Sequence, residues 1–296
     1  MENEIFVITG TTAVGKTELA LRWAEENNAE ILSCDSTNVY RGMDIGTAKP
    51  TAAERARAPH HGIDLVEPDE KFSVGDYLDF AIPCVADVFA RGKNLLVAGG
   101  SGFYLKSFYA PVTDEIEIPP EIRAQVAEFL ARGNAFATEQ LRTLNPDNAP
   151  GFDWQNPRRV ARALERCLAS GKTISALKAE MDARTSPFAK YKIRTLLLQR
   201  SREDLDKRIS LRVAQMLALG LVEEVKTLAR ERGLRPNTPA GNAIGYRETL
   251  AWLASGEPGG TRALADEIAL STRQLAAKQR KWFRTQIPID ETRNLA

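Results

Sequence analysis

The eight residues Gly10 to Thr17, reading GTTAVGKT behind the apolar run Ile5-Phe6-Val7-Ile8, constrain this chain more than any other stretch. A glycine, four residues and then Gly15-Lys16-Thr17 let the backbone turn tightly and aim successive amide N–H groups at one oxyanion. Lys16 adds a mobile positive charge and Thr17 a hydroxyl suited to Mg²⁺. A helix is predicted to start near Lys16, adding its positive dipole end. The apolar strand before the loop and the helix former Glu18-Leu19-Ala20-Leu21 after it make this the first βα unit of a parallel α/β sheet. ATPases, kinases, GTPase switches and enzymes with a diphosphate leaving group all use such a loop. It fixes the chemistry of the ligand and leaves the reaction open.

With 296 residues the chain can bury a large core, and one domain carrying an insertion is expected. Its 27 % charged and 43 % hydrophobic residues are an ordinary soluble composition, and a net charge of +1 gives no global attraction to nucleic acid. Any nucleic-acid site must come from local clustering. Cys34, Cys84 and Cys167 are far apart and form no CxxC pair, which points to neither a disulfide framework nor a zinc finger and fits a reducing compartment. The N-terminus lacks a basic region followed by an apolar core, and no apolar run approaches the length of a membrane span. A cytoplasmic protein with no membrane partner is expected.

Further strands are predicted at Glu30–Cys34 and Asn94–Ala98, with a return strand at Ile193–Leu198. In an open parallel sheet, ligands sit beyond the carboxyl ends of the strands. Asp35, just past the second strand, should therefore face the crevice of the phosphate loop. The polar passage from Thr37 to Pro50 has no clear period and is predicted to be a binding loop. His60–Val66 suggests an edge strand, and Ser73 an N-cap for a helix to about Arg91 with Pro83 as a candidate kink. Gly99-Gly100-Ser101-Gly102 is a second glycine-rich turn, with Ser101 aimed at a ligand. No acid follows that strand, which weakens an ATPase reading.

From about residue 111 to 190 the composition shifts to alanine-rich, charged helical stretches, read as an insertion. One helix starts at Asn156-Pro157 and puts Arg159, Arg162 and Arg166 on one face, with Val160, Ala163 and Leu164 toward a core. Together with the lysines and arginines between residues 190 and 212, it forms a basic cluster suited to a phosphate-rich partner. Helix 202–219 buries Leu205, Ile209, Val213, Met216 and Leu217 and carries Arg208 and Arg212 one turn apart. The final helix holds Trp282 and Phe283 among Arg273, Lys278, Arg280, Lys281 and Arg284. Aromatic residues among basic ones suit RNA, and they equally suit packing against the body.

Taken together, GTTAVGKT, CDSTNVYRGMDIGTAKP, HHGIDLVEPDEKFSVGDY, GGSGFYLK, NPRRVARALE, AIGYRE and TRQLAAKQRKWFR resemble, in order and spacing, the bacterial tRNA dimethylallyltransferases. The resemblance runs from about residue 4 to 285. It implies a P-loop NTPase-like α/β core at 1–110 and 191–296, and a tRNA-binding helical insertion at 111–190. The implied reaction moves a dimethylallyl group from dimethylallyl diphosphate to the exocyclic amine of the adenosine 3′ of the anticodon. The implied partners are the anticodon arm of tRNA and this donor, with Mg²⁺ as cofactor and a monomer as the expected state.

By the same resemblance Gly10, Thr12, Ala13, Val14, Gly15, Lys16 and Thr17 bind the diphosphate, with Thr17 on the metal. Asp35 is the general base, Ser101 the catalytic hydroxyl, and Arg212, ahead of Arg208, the arginine completing the clamp. The tRNA would be held by Asp35, Ser36, Thr37, Asn38, Arg123, Arg158, Arg159 and Arg162. The chain departs from the family pattern at Thr11 (proline usual), Val14 (serine), Asn38 and Arg158 (glutamine), and Phe152-Asp153-Trp154. The first two are expected to alter the rim of the loop. An adenylate isopentenyltransferase, an ATP-dependent small-molecule kinase and a nucleotide-gated RNA-binding protein are the competing readings.

Overall fold

The computed structural model describes residues 3–114 and 116–295. The chain opens β1 (Glu4–Gly10), α1 (Lys16–Glu26), β2 (Ala29–Cys34), α2 (Ala52–Arg57), β3 (His60–His61), α3 (Val74–Ala90), β4 (Asn94–Gly99) and α4 (Gly102–Lys106). Helices α5 (Pro120–Ala131), α6 (Asn134–Thr143), α7 (Pro157–Ser170) and α8 (Ile174–Asp182) follow. The chain returns through β5 (Lys192–Gln199), α9 (Arg202–Ala218), α10 (Leu221–Glu231), α11 (Tyr246–Ala254), α12 (Gly260–Gln286) and β6 (Glu291–Asn294). Two compact units result, one of residues 1–109 with 186–296 and one of residues 110–185. Residues 186–190, placed with the insertion by composition, belong to the first unit. The Ser186 hydroxyl donates to the carbonyls of Ser107 and Phe108, and Phe188 stacks on Phe108 with ring centroids 4.4 Å apart.

The first unit is built on a parallel sheet of order β3-β2-β4-β1-β5-β6. Its central strands bury residues on both faces, as their unbroken apolar runs require. Leu21 and Ala24 of α1 pack with Ile8, Leu96 and Leu196 in one cluster. Because the strands run parallel, their carboxyl ends share one edge, and the register sets them abreast. Gly99 pairs with both Thr9 and Cys34, and Gly10 pairs with Leu198.

One expectation needs correction, and the structure adds two features. The predicted edge strand pairs only at His60 and His61, with a separate bridge from Val66 to Tyr40. Helix α3 runs through Pro83 unbroken; Pro83 and Asp79 lie on its exposed face, where water can take the carbonyl the proline leaves unpaired. Strand β6 was not foreseen, since Glu291-Thr292-Arg293-Asn294 has no apolar alternation and forms only because β5 offers it an open edge.

Glu30 is a carboxylate buried in β2. It receives Arg91 and His61, the latter at 2.6 Å, and these outweigh burial to hold its pKa at about 2. A carboxyl depressed on folding stabilises the fold above its unfolded value near 4.5, and that contribution disappears as pH falls toward 2. Arg91→Ala is expected to destabilise the fold at pH 7, because it leaves the Glu30 carboxylate buried with His61 as its remaining partner. Urea unfolding should show the gap from wild type closing as pH falls from 5 to 2.

In the second unit, Val126 of α5, Ala137 and Leu141 of α6, Val160, Ala163, Leu164 and Cys167 of α7, and Leu177 of α8 form a core of their own. Asn156 caps α7 by accepting from the amides of Arg158 and Arg159, so the helix begins where Asn-Pro predicts.

Candidate active site

The phosphate loop leaves β1 and enters α1 through Gly15, whose φ of 105° lies in the left-handed region that a side chain would strain. The amides of Ala13, Gly15, Lys16 and Thr17 have no acceptor among the described residues, leaving a concentration of donors at the start of α1. Two further loop amides are committed: Thr12 donates to Gln279 Oε1 at 2.8 Å and Val14 to the carbonyl of Thr11 at 3.3 Å. Thr12 and Val14 thus belong to the loop's framework, and the free donors at the start of α1 are the amides of Ala13, Gly15, Lys16 and Thr17. Thr11 and Val14 are buried, Val14 in the sheet core, so these two departures change what packs beneath the loop and not its rim.

Lys16 Nζ donates to the carbonyls of Gly10 and Thr11, each at 2.9 Å. Burial pulls its pKa down to about 8, nearby Asp35 opposes the fall, and Arg212 adds to it. From α9, Arg208 Nε reaches the carbonyl of Ala13 at 2.9 Å, and Arg212 reaches that of Thr47 at 3.2 Å. Burial also lowers the Arg212 pKa, with Asp35 opposing and Arg208 reinforcing. Arg200, just past β5, donates to the carbonyl of Val14 at 2.8 Å. The loop is therefore ringed by cations, of which Lys16 and Arg212 are partly stripped of water and Arg208 is exposed, an arrangement that stabilises a polyanion.

Asp35 and Ser101 stand on the neighbouring strand ends, as the register requires. Asp35 Oδ1 accepts from the amide and hydroxyl of Thr37, at 2.9 and 2.7 Å, leaving Oδ2 with no hydrogen bond among the described residues. Ser101 Oγ accepts from the amide of Ser36 at 2.8 Å and lies 3.1 Å from the Ser36 hydroxyl. Ser36 is exposed and Thr37 half-buried. Asn38 turns inward: only 9 % exposed, it approaches Ser33 Oγ at 3.4 Å and its Oδ1 is buried without a partner among the described residues. A base-reading role for it would need this side chain to turn outward.

The passage after Asn38 is braced, despite its irregular sequence. Glu224 of α10 accepts from the amides of Asp44, Ile45 and Gly46, at 3.1, 2.8 and 3.3 Å, and from Tyr246 Oη at 2.6 Å. Gly46 lies so close to the Tyr246 ring that a Cβ there would clash with it. Buried Lys49 ties Tyr40, Asp44 and Asp64 together. This bracing holds Thr47 where its carbonyl receives Arg212. Sequence reading singled out YRGMDIGTAKP and AIGYRE as motifs but missed Glu224, which carries no signal of its own, and missed Arg200 and Gln279 as partners of the loop.

A bound Mg²⁺ would need hard oxygen ligands. Thr17 is exposed at the start of α1 with its hydroxyl unpartnered among the described residues, and these contain no group of three His, Cys, Asp or Glu that could hold a metal. One hydroxyl beside free amides fits a cation that arrives coordinated by phosphate oxygens and water, and does not fit a dedicated protein cage. His60 and His61 engage the Ala58 carbonyl and Glu30 respectively.

In the second unit Arg123 on α5 and Arg158, Arg159 and Arg162 on α7 are exposed. Arg159 pairs with Asp153 at 3.6 Å, Arg162 with Glu165 at 3.1 Å, and Arg166 with Asp114. These first three cations of α7 remain on the surface, while Arg166 is drawn inward as a brace. Arg159, Arg162 and Arg166 rim a hollow of about 320 Å³ whose floor includes Ala163, Leu177 and Met181.

A family model described as IPP transferase matches residues 38–286. The tRNA dimethylallyltransferase of Opitutus terrae is 52 % identical over 282 residues, covering 95 % of this chain and 90 % of that protein. The chain belongs to the IPP transferase family. A tRNA dimethylallyltransferase of Chloroflexus aurantiacus is 39 % identical over 95 % of this chain and 93 % of its own length. Among solved structures, the tRNA isopentenylpyrophosphate transferase of Bacillus halodurans superposes with a TM-score of 0.69 at 32 % identity, over 99 % of this chain and 90 % of that one. A eukaryotic dimethylallyltransferase described as acting on tRNA gives a TM-score of 0.83 at 26 % identity, over 99 % and 74 %. The chain therefore has the fold and the enzyme class of this family, a prenyltransferase on a P-loop-like parallel sheet.

Proposed function

We propose that this enzyme transfers a dimethylallyl group from dimethylallyl diphosphate to the exocyclic amine of the adenosine 3′ of the anticodon in tRNA. The observation that carries the reading is the juxtaposition of free amides, Lys16, Arg208 and Arg212 with a carboxylate, Asp35, that has one oxygen uncommitted. A polyanion and an amine nucleophile can meet there. The amides of Ala13, Gly15, Lys16 and Thr17, with the three cations, bind the diphosphate and stabilise the charge that grows on it. As the allylic C1–O bond breaks, diphosphate leaves. The new bond forms between C1 and the adenine amine, whose proton passes to Asp35 Oδ2.

Ser101, adjoining Ser36, presents its hydroxyl to the leaving oxygens. Thr17 would hold Mg²⁺ on the diphosphate, where the cation supplies Lewis-acid neutralisation of the leaving group. The target base must leave the loop stack to reach Asp35, at a cost of about a few kcal/mol. Ser36, Thr37 and Asn38 would line its entry, and Arg123, Arg158, Arg159 and Arg162 of the insertion would grip the phosphates of the anticodon arm. The enzyme acts as a monomer in the cytoplasm on this reading. No helix among the described residues is long and apolar enough to cross a membrane.

The deciding experiment offers purified enzyme and dimethylallyl diphosphate three acceptors in parallel: a tRNA with adenosine 3′ of its anticodon, the same tRNA with guanosine there, and AMP. Mass spectrometry of the digested nucleosides should find dimethylallyladenosine only in the first. Modification of AMP alone would make the enzyme an adenylate isopentenyltransferase, and consumption of the γ-phosphate of ATP without transfer would make it a kinase.

A further inference from the structure

Helix α12 turns one face, marked by Gln279, Trp282 and Gln286 at three- and four-residue spacing, toward the turn that carries Ser101. Gln279 Oε1 accepts from the Thr12 amide at 2.8 Å while its Nε2 donates to the Gly100 carbonyl at 3.1 Å. Three residues on, the Trp282 ring lies against Gly102, where a Cβ would come within 3.0 Å of it. Gln286 accepts from Lys106 at 3.1 Å. Ser101 is thus held from both sides by α12, and the same carboxamide that fixes its turn also fixes the phosphate loop. Both polar atoms of Gln279 are spent on backbone, so this side chain is not offered to a nucleic acid as its basic neighbours Lys278, Arg280 and Lys281 are.

We infer that Gln279 is a positioning residue for the transfer reaction. One rigid amide sets the separation of the diphosphate loop from the Ser101 turn, and through Ser36 it sets the alignment of both with Asp35. The inference rests on the proposed function above. An apolar substitute leaves the four free loop amides and Lys16 in place, so the donor still binds. What is lost is the relative placement of groups that must act together, and misplacement by about 1 Å can cost on the order of 100-fold in rate.

The test uses Gln279→Met and Gln279→Glu in full-length enzyme with tRNA and dimethylallyl diphosphate. For Gln279→Met, kcat should fall by about 10–100-fold while both KM values stay within about threefold and the melting temperature within a few degrees. For Gln279→Glu, the carboxylate can still accept from the Thr12 amide but offers no donor to Gly100, so only one of the two bonds is restored. Its kcat at pH 7.5 should therefore also fall, again with KM values within about threefold of wild type. A kcat within twofold of wild type for Gln279→Met, a loss of rate matched by an equal rise in KM, or an unchanged kcat for Gln279→Glu overturns the inference. Wild-type enzyme runs in the same assay: its failure to modify tRNA would overturn the functional reading, whereas active wild type beside indifferent variants overturns this inference alone.

Discussion

Asp35→Asn should lower the transfer rate by about 10²–10⁴-fold while leaving tRNA affinity and thermal stability close to wild type, the range expected when a general base is removed. The structure makes this a clean substitution. The Asp35 oxygen that accepts from the amide and hydroxyl of Thr37 can be reproduced by the asparagine carbonyl, so the turn after β2 keeps its hydrogen bonds. Only the second oxygen changes, from an acceptor of protons to an amide nitrogen. Asp35 also supports the charged form of Lys16, so the variant should bind the donor with its pH dependence displaced to lower pH. Single-turnover transfer, with filter binding of tRNA beside it, separates the chemical defect from a binding one. A rate within tenfold of wild type would remove Asp35 from the role of base.

Lys16→Ala should cost about 10²–10³-fold in kcat/KM, the scale found when one donor to a developing oxyanion is deleted. Wild-type donor binding carries a matching signature. In the free enzyme Lys16 is held near pKa 8 by burial, and a diphosphate beside it favours the ammonium form, so its pKa rises on binding. Binding then takes up a proton wherever the free enzyme has lost one. Affinity should be insensitive to this group well below pH 8 and should weaken as pH rises through 8, by up to about tenfold per unit until the bound-state pKa is reached. Calorimetry at pH 8 to 9 in two buffers of different ionisation heat should register net proton uptake as the donor binds. Lys16→Ala should register none.

The parallel sheet, the phosphate loop and the ends of β2 and β4 could be read from residues because each rests on a local rule. An unbroken apolar run makes a doubly covered strand, and a glycine-lysine pattern makes an anion cradle. Strand β6 and the true extent of β3 could not be read so. Four polar residues become a strand only through the open edge of β5, and two histidines pair with β2 while Val66 instead bridges to Tyr40. At the site the same division holds. Lys16, Asp35 and Ser101 are residue types whose side chains can be read as candidates from sequence, and the structure sets them at the same edge of the sheet. Glu224 and Gln279 act on backbone groups far off in sequence, Gln279 on Thr12 some 267 positions away, and nothing local marks them.

What the amino-acid sequence determined by itself was the list of candidate groups and the strand ends on which they sit, since a parallel sheet delivers every carboxyl end to one edge. Tertiary structure alone decided which of those groups are free to act. It committed the amides of Thr12 and Val14 to the framework, turned Asn38 inward, drew Arg166 onto Asp114, and left Ala13, Gly15, Lys16 and Thr17 open. The physical reason is that a donor or acceptor is available to a ligand only when no nearer partner satisfies it. That partner is supplied by packing across the whole fold, which no window along the chain contains.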